Sequence, residues 1–158
     1  MAAGKPHGIR PFGLEPQRIL RLQKLHIIVG QDTDSESQPD AAAMSWIVKL
    51  DKEEDFIGRW ALELAADRVP ETRLVGFSTT GSHVPTEGAV IVRHGIAAGQ
   101  VTSSRYSPKL GRVIGMAWVP SDLATEDAQE QISDAGQMLD ARVTTRPFYD
   151  PEGEVLRS

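Results

Sequence analysis

The chain has 158 residues, a formal net charge of −5 and no cysteine. Its length fits about one domain with a core of its own, and its ordinary apolar and charged fractions exclude wholesale disorder. The acidic balance argues against a broad nucleic-acid-binding face, and the lack of cysteine excludes disulfides, thiolate zinc sites and iron–sulfur clusters. No apolar run approaches the roughly 20 residues of a membrane span, and the first residues show no signal-peptide core. We therefore expect a soluble, cytoplasmic protein.

The first 70 residues predict a mixed α/β segment with a long polar loop. Apolar spacing in LEPQRILRLQKL is that of a short amphipathic helix, and SWIVKL alternates as a strand does. The segment has too few elements for its own core. It either packs on the rest of the chain or is part of a larger domain. The predicted elements are a helix from Pro16 to Lys24, a possible strand from Ile27 to Val29, a polar loop to Ala43, a strand at 45–50, and a helix from Ile57 to Arg68 capped by Asp55.

From Thr72 onward the sequence changes to short runs rich in β-branched residues, separated by glycine and proline. About six such runs at short, regular spacing predict a small antiparallel barrel or sandwich. The predicted fold class is therefore α+β. A partial mixed α/β segment, residues 1–70, is followed by a small all-β domain, residues 71–158.

The polar loop after Gly30 carries alternating carboxylates at Asp32, Asp34 and Glu36. A calcium loop starting at Asp32 would need glycine at its sixth place and glutamate at its twelfth, where this chain has Ser37 and Ala43. No glycine-rich phosphate motif is present either. We predict a solvated loop, with the side chains of Asp32 and Asp34 in water.

Nucleophilic catalysis has little support in the sequence. No G-x-S-x-G motif occurs, and the four histidines stand apart along the chain. Ser82 and His83 are neighbours between Gly81 and Pro85, which is typical of a surface loop. No catalytic set is predicted.

Two features leave alternatives open. Arg18 and Arg21 lie on one face of the first helix, either as a solvated face or as a site for an anionic or amide-bearing ligand, since a guanidinium fork suits such groups. Trp46 is either a core residue or a stacking wall for a flat ligand.

Six segments, in order, resemble the C-terminal part of a known family. They read GIRPFGLEPQRILRLQK, HIIVGQDTD, WIVKLDKEEDFIGRWAL, LVGFSTTGSHVPTEGAVIV, GQVTSSRYSPKLGRVIGMAWVP and PFYDPEGEVLR. The family is that of the folate-dependent aminomethyltransferases, which includes the glycine cleavage T-protein, the sarcosine oxidase alpha subunit and dimethylglycine dehydrogenase. The wording is most similar to the sarcosine oxidase alpha group.

The resemblance implies a C-terminal β-barrel and a protein that binds tetrahydrofolate and passes a one-carbon unit to it. It implies that Arg21 contacts the folate, because Arg21 stands in LRLQ where the family has LRLE, and that Trp46 lies at the cofactor. Three positions depart from the family pattern. Gln23 replaces a glutamate, Leu25 replaces a small residue, and Val29 stands where T-proteins have an aromatic.

The resemblance also places the family's catalytic aspartate and pterin-recognising glutamate upstream of this chain. No catalytic residue and no metal ligand are therefore assigned here. The implied partner is a missing N-terminal half or partner subunit, or a second copy in a homo-oligomer, with a flavin amine oxidase subunit as a further candidate. No nucleic acid and no membrane are expected. The alternative function is a non-catalytic barrel module for interaction or assembly, with an exposed apolar face around 27–29 and 46–50.

Overall fold

A computed structural model describes residues 2–157 and shows a closed antiparallel β-barrel preceded by helices and loops. The strand order around the barrel is β1-β4-β3-β2-β5-β6. The six predicted strands are confirmed. Because the sheet closes on itself, the fold is a barrel and not a sandwich. The strands are β1 Thr72–Thr79, β2 Val90–Arg93, β3 Ile96–Ser107, β4 Arg112–Pro120, β5 Gln129–Asp134 and β6 Gln137–Thr144.

The barrel interior is a packed apolar core. Phe77 on β1, Val101 on β3 and Ile132 on β5 are each at most 2% exposed. Gly115 on β4 makes room for the largest of them, because a Cβ at this position would collide with the Phe77 ring. Small and large residues thus alternate across facing strands, as a tapering barrel requires.

Helix α1, Leu14–Gln23, packs on the outside of β3 and β4. Leu22 is fully buried and joins a second apolar cluster with Leu74, Ile114 and Met116. The predicted first helix is confirmed, two residues earlier at its start. The amphipathic spacing that predicted it is the spacing that seats Leu22 against the sheet.

Two predicted strands in the first 70 residues are wrong. The segment Ile27 to Val29 makes only an isolated bridge between Val29 and Thr33, and SWIVKL begins as a 3-10 turn, Ser45–Ile47. An alternating pattern becomes a strand only where a neighbouring strand offers hydrogen bonds, and a closed barrel has no edge to offer.

The second predicted helix is confirmed but shorter. Helix α2 spans Arg59–Ala66, and its N-cap is Gly58 in the left-handed region (φ 93°) rather than Asp55. Among the described elements, α2 packs on no barrel strand to the extent that α1 does. A third short helix, α3, covers Glu154–Arg157, and a 3-10 turn covers Ala2–His7.

The two regions differ in where their apolar side chains lie. Most of the strongly exposed large apolar residues precede the barrel, whereas the barrel buries nearly all of its own. Across residues 2–157, none of the helices has the length and apolar character needed to span a membrane. The strands begin at Thr72, and the division of the chain into domains at residue 70 stays a prediction.

Candidate functional site

The centre of the site is the buried carboxylate of Asp32, which is 1% exposed. It accepts hydrogen bonds of 2.5–2.8 Å from Arg21 Nη1, the Ile28 backbone N–H, and the hydroxyls of Thr102 and Ser103 on β3. The prediction that Asp32 lies in water is wrong. These donors offset the free-energy cost of burying the carboxylate. They come from α1, from its own loop and from the barrel, and the distant ones cannot be recognised from the residues around Asp32.

A second contact fixes the same loop to the barrel. The indole Nε1–H of Trp118, on β4, donates to the backbone oxygen of Asp32 at 2.8 Å. Backbone and side chain of one residue are therefore both held by the sheet. The buried hydrogen bonds therefore hold the centre of the loop from Ile28 to Thr33 against the sheet.

Arg21 is the cationic partner of this carboxylate. Its side chain is 9% exposed and its Nη1 lies 2.5 Å from Asp32 Oδ2. Burial lowers the pKa of Arg21, and the charge of Asp32 opposes that shift. The Nε–H of Arg21 is buried and has no hydrogen-bond partner. Such an orphaned donor carries a desolvation cost until an acceptor reaches it.

The end of α1 is held so that Arg21 points inward. The side-chain amide of Gln23, 3% exposed, donates to Ser107 Oγ at 2.8 Å, and its backbone oxygen accepts from Tyr149 N–H at 3.1 Å. Lys24 reaches the backbone oxygen and carboxylate of Asp150. The helix is thus clamped between the β3–β4 hairpin and the segment that follows the barrel.

The chain leaves α1 through a left-handed residue. Leu25 has φ 55°, and His26 N–H donates to Arg21 O at 2.8 Å, which is the six-to-one bond of a Schellman cap. Leucine in this conformation costs of the order of 1 kcal/mol. Its side chain packs in the cluster around Leu22, which offsets that cost. The turn redirects the chain toward Asp32.

An open cleft of about 550 Å³ lies beside this centre. Its walls include Arg18 from α1, Gln31 from the loop, Gln100 and Thr102 from β3, and Trp118 from β4. Gln31 Nε2 also donates to Glu87 Oε1 at 2.6 Å across the cleft. The cleft is also lined by three carboxylates, those of Asp32, Asp34 and Glu87, beside two side-chain amides, one indole and one exposed guanidinium. These polar walls suit a ligand with N–H and carbonyl groups.

The remaining loop carboxylate, Asp34, behaves as predicted. It is exposed, and its Oδ1 closes a turn by accepting from Glu36 N–H and from the N–H and Oγ–H of Ser37 at 2.8–3.0 Å. The bond from Ser37 is the main reason that the pKa of Asp34 lies below its usual value. Within residues 2–157, no group of three His, Asp or Glu side chains is arranged to hold a metal ion.

The structure treats the predicted ligand residues differently. Arg18 lies on the solvated face of α1, 45% exposed and paired with Glu15, whereas Arg21 is turned into the protein. Trp46 is 67% exposed and therefore not a core residue of the described chain. It does not line the cleft beside Asp32. Arg21 does not line the cleft either, but it contacts the wall residue Asp32, whereas Trp46 is presented on a separate surface.

One polar cluster has no signal in the sequence. Asp134, 6% exposed, accepts from Thr86 Oγ1 at 2.6 Å and lies 2.7 Å from His83 Nε2. These bonds, with that from Thr86 first, hold the pKa of Asp134 below its ordinary value. His83 and Asp134 lie 51 residues apart, so only the barrel brings them together. The cluster ties the β1–β2 connection to β5.

Comparisons with protein families agree along the chain. Residues 72–150 match the model of the glycine cleavage T-protein C-terminal barrel domain, and residues 1–52 match that of the GCVT N-terminal domain.

Individual proteins give the same picture. An aminomethyltransferase of Synechococcus sp. (strain WH7803) is 38% identical over 142 residues, which cover 90% of this chain and 38% of the relative. One from Thermotoga petrophila is 35% identical over 148 residues, covering 94% of this chain and 39% of the relative. The crystal structure of glycine cleavage system aminomethyltransferase T from Bartonella henselae has a TM-score of 0.80 at 25% identity and covers 88% of this chain and 39% of its own. The chain spans about two fifths of the length of these relatives.

Proposed function

This chain belongs to the glycine cleavage T-protein family, and we propose that it is the tetrahydrofolate-binding C-terminal part of an aminomethyltransferase-type one-carbon transfer protein. The observation that carries the proposal is Arg21. Its side chain is 9% exposed, is fixed by Asp32, and is left with one unpaired N–H. Most buried donors in folded proteins have a partner, so an unpaired guanidinium N–H supports a role in ligand binding.

The residues present fit a folate on chemical grounds. Tetrahydrofolate carries a pterin carbonyl, an amide and glutamyl carboxylates, and a guanidinium N–H binds all three kinds of oxygen. Arg21 Nε–H is the donor assigned to such an oxygen, and Trp46 is proposed as an aromatic surface for the planar part of the ligand. When bound, tetrahydrofolate supplies the nitrogens that accept the one-carbon unit.

In this proposal the chain binds and orients the ligand. Asp32 holds the Arg21 guanidinium in one orientation, and Gln23 holds the helix that carries it. Preorganisation of this kind lowers the entropy that binding would otherwise cost. No residue of this chain is assigned a proton-transfer step.

The first experiment measures tetrahydrofolate binding by titration calorimetry. The chain is fused to the remaining region of the Synechococcus aminomethyltransferase, because it spans only part of that protein. Arg21→Lys keeps the charge but removes the Nε–H of the guanidinium, so we expect affinity to fall about tenfold or more. Arg142→Lys, a 60%-exposed arginine of the barrel that does not line the cleft, should leave affinity unchanged.

Two outcomes would count against the proposal. Equal affinity in the Arg21→Lys fusion would remove Arg21 from the ligand site. A folded fusion that binds no tetrahydrofolate would favour the alternative function, a barrel module for interaction or assembly. The relatives compared above are named aminomethyltransferases, which supports aminomethyl transfer rather than the sarcosine-oxidase-like chemistry suggested by the wording of the sequence.

A further inference from the structure

Within residues 2–157, the hydrogen bonds of the Arg21 side chain are all made by Nη1. This nitrogen donates to Asp32 Oδ2 at 2.5 Å and to His26 O at 3.3 Å, and it reaches the sulfur of Met116 at 3.6 Å. The unpaired Nε–H is the guanidinium donor nearest the backbone. Its direction therefore depends on the position of the last turn of α1 as well as on Asp32.

That last turn is capped by a segment from the other end of the chain. We define the C-terminal strap as residues 147–153, which lie between β6 and α3. The carbonyl of Gln23, the last residue of α1, accepts a hydrogen bond from Tyr149 N–H at 3.1 Å. The final carbonyls of a helix have no partner within the helix, so the strap supplies a donor that α1 lacks.

A partly buried ion pair joins the C-terminal strap to the same helix end. Lys24 Nζ donates to Asp150 O and lies 3.7 Å from Asp150 Oδ2, and the two side chains are 21% and 9% exposed. A pair with so little solvent contact is screened less than a surface pair. Because Lys24 directly follows α1, this pair fixes the place where the helix ends.

The backbone of the C-terminal strap turns sharply at Asp150. This residue lies in the left-handed region with φ 49°, which aspartate tolerates better than most side chains. Its Oδ1 accepts from Val155 N–H at 3.2 Å, and its backbone oxygen accepts from Gly153 N–H at 2.9 Å. Residues in sparsely populated conformations persist where their surroundings fix them, and they cluster at functional sites.

Phe148 packs the C-terminal strap onto the barrel beside the end of α1. It joins the apolar cluster around Leu22 and Leu25. A Cβ on Gly76 would lie 2.8 Å from Leu25 Cδ2 and 3.1 Å from Phe148 Cζ. Glycine at this position of β1 thus lets the helix end and the strap pack closely on the same part of the sheet.

We propose that Asp150 is a positioning residue of the ligand site. It acts through Lys24 on the last turn of α1 and so keeps the Nε–H of Arg21 directed at the ligand oxygen. Asp32 fixes one end of the Arg21 side chain, and the C-terminal strap fixes the other. This role rests on the proposed function for the identity of the ligand, but the orientation of Arg21 is measurable without any ligand.

The first measurement is the exchange of the Arg21 Nε–H with water, followed by proton–nitrogen NMR on the chain without folate. Arg21→Lys identifies the resonance. Lys24→Met removes the cation that reaches Asp150, and we expect exchange of the Arg21 Nε–H to become about tenfold faster or more. Lys24→Arg restores a charged donor and should stay within about twofold of wild type. Lys5→Met, at an exposed lysine of the first 3-10 turn, should change nothing.

The second measurement is tetrahydrofolate affinity in the fusion described above. Lys24→Met should weaken binding about fivefold or more, and Lys24→Arg should recover most of the affinity. A contact that served only the fold would lower the free energy of unfolding and leave the affinity of the folded protein unchanged. If Lys24→Met does not fold, Asp150→Asn takes its place, because it keeps the acceptors for Val155 and Gly153 and removes only the charge.

Three results would overturn the proposal. One is unchanged exchange of the Arg21 Nε–H in folded Lys24→Met. Another is unchanged affinity in the fusion that carries this variant, when the wild-type fusion binds tetrahydrofolate. The third is a Lys24→Arg variant as impaired as Lys24→Met, which would show that the pair with Asp150 is not the source of the effect.

Positioning and folate binding fail separately. A wild-type fusion that binds no tetrahydrofolate would refute the proposed function, while exchange of the Nε–H in the chain alone still decides whether Asp150 positions Arg21. Full affinity in the wild-type fusion, with exchange insensitive to Lys24→Met, would do the reverse.

Discussion

The barrel and the 70 residues before it differ in how they bury their apolar side chains. The barrel closes on itself, so Phe77, Val101 and Ile132 lie inside with at most 1% of their surface exposed. In the preceding region α1 packs on the barrel, but α2 does not do so to the same extent, and the side chains of Trp46 and Trp60 are exposed to solvent. A closed sheet buries its inner apolar face by itself, whereas an amphipathic helix needs another element to bury its apolar side. The comparison predicts where mutations will be costly and where they will be silent.

The largest expected effect lies in the barrel core. Phe77→Ala should lower the free energy of unfolding by about 3–5 kcal/mol, because the ring fills the space beside Gly115 and leaves a cavity when removed. Urea denaturation followed by circular dichroism measures this cost. A loss below about 1 kcal/mol would mean that the barrel collapses around the cavity and is less rigidly packed than its core indicates.

The next effect concerns the joint between the two regions. Arg21→Met should cost about 3 kcal/mol, because it leaves the buried Asp32 carboxylate without its cation while the other donors remain. The same denaturation experiment applies, with Arg18→Met as the exposed control at no more than about 0.5 kcal/mol. Equal costs for the two variants would show that the Asp32 centre does not join the regions in solution.

A smaller, pH-dependent effect belongs to the barrel alone. Asp134→Asn should cost about 1–2 kcal/mol near pH 7, since it weakens the bonds to His83 and Thr86. The pKa of Asp134 is lowered in the folded protein, so its contribution is present above the unfolded-state value of about 4 and is lost as pH falls through the lower folded-state value. The difference in unfolding free energy between wild type and variant should therefore be largest near pH 7 and shrink as pH falls below about 4. A difference that does not change with pH would contradict the charged form of Asp134 as the source of the stability.

The smallest effect is expected at Trp60, on the exposed side of α2. Trp60→Ala should change the free energy of unfolding of the chain by no more than about 0.5 kcal/mol, because the indole is 76% exposed. The loss of unfolding free energy in this variant should be compared with that in Phe77→Ala, which removes an aromatic ring from the core. A cost for Trp60→Ala that approached that of Phe77→Ala would show that α2 is already covered in the isolated chain.

The sequence predicted the barrel because its signals are local. Glycine and proline between short β-branched runs mark strand ends wherever the strands lie in space, so six strands could be placed before their pairing was known. Helix α1 was predictable for the same reason, since its apolar spacing is a property of ten consecutive residues.

The site was only partly predictable. The resemblance identified Arg21, but its partner Asp32 looked like a solvated carboxylate, because the hydroxyls of Thr102 and Ser103 lie 70 and 71 residues away in sequence. The strand predicted in SWIVKL failed because strand pairing depends on a neighbour that the closed barrel does not provide. Sequence patterns report periodicity, and they do not report which partner is present.

The bonds of Asp32 also set an order of events during folding. Its carboxylate is satisfied only when β3 supplies two hydroxyls and α1 supplies a cation, while Trp118 of β4 holds its backbone. On an elongating chain the cation of α1 emerges before Asp32, whereas the donors on β3 and β4 emerge long after it. The loop therefore cannot complete its bonds until these two strands are present. A chain interrupted before β3 would carry the Arg21 helix but could not assemble the site.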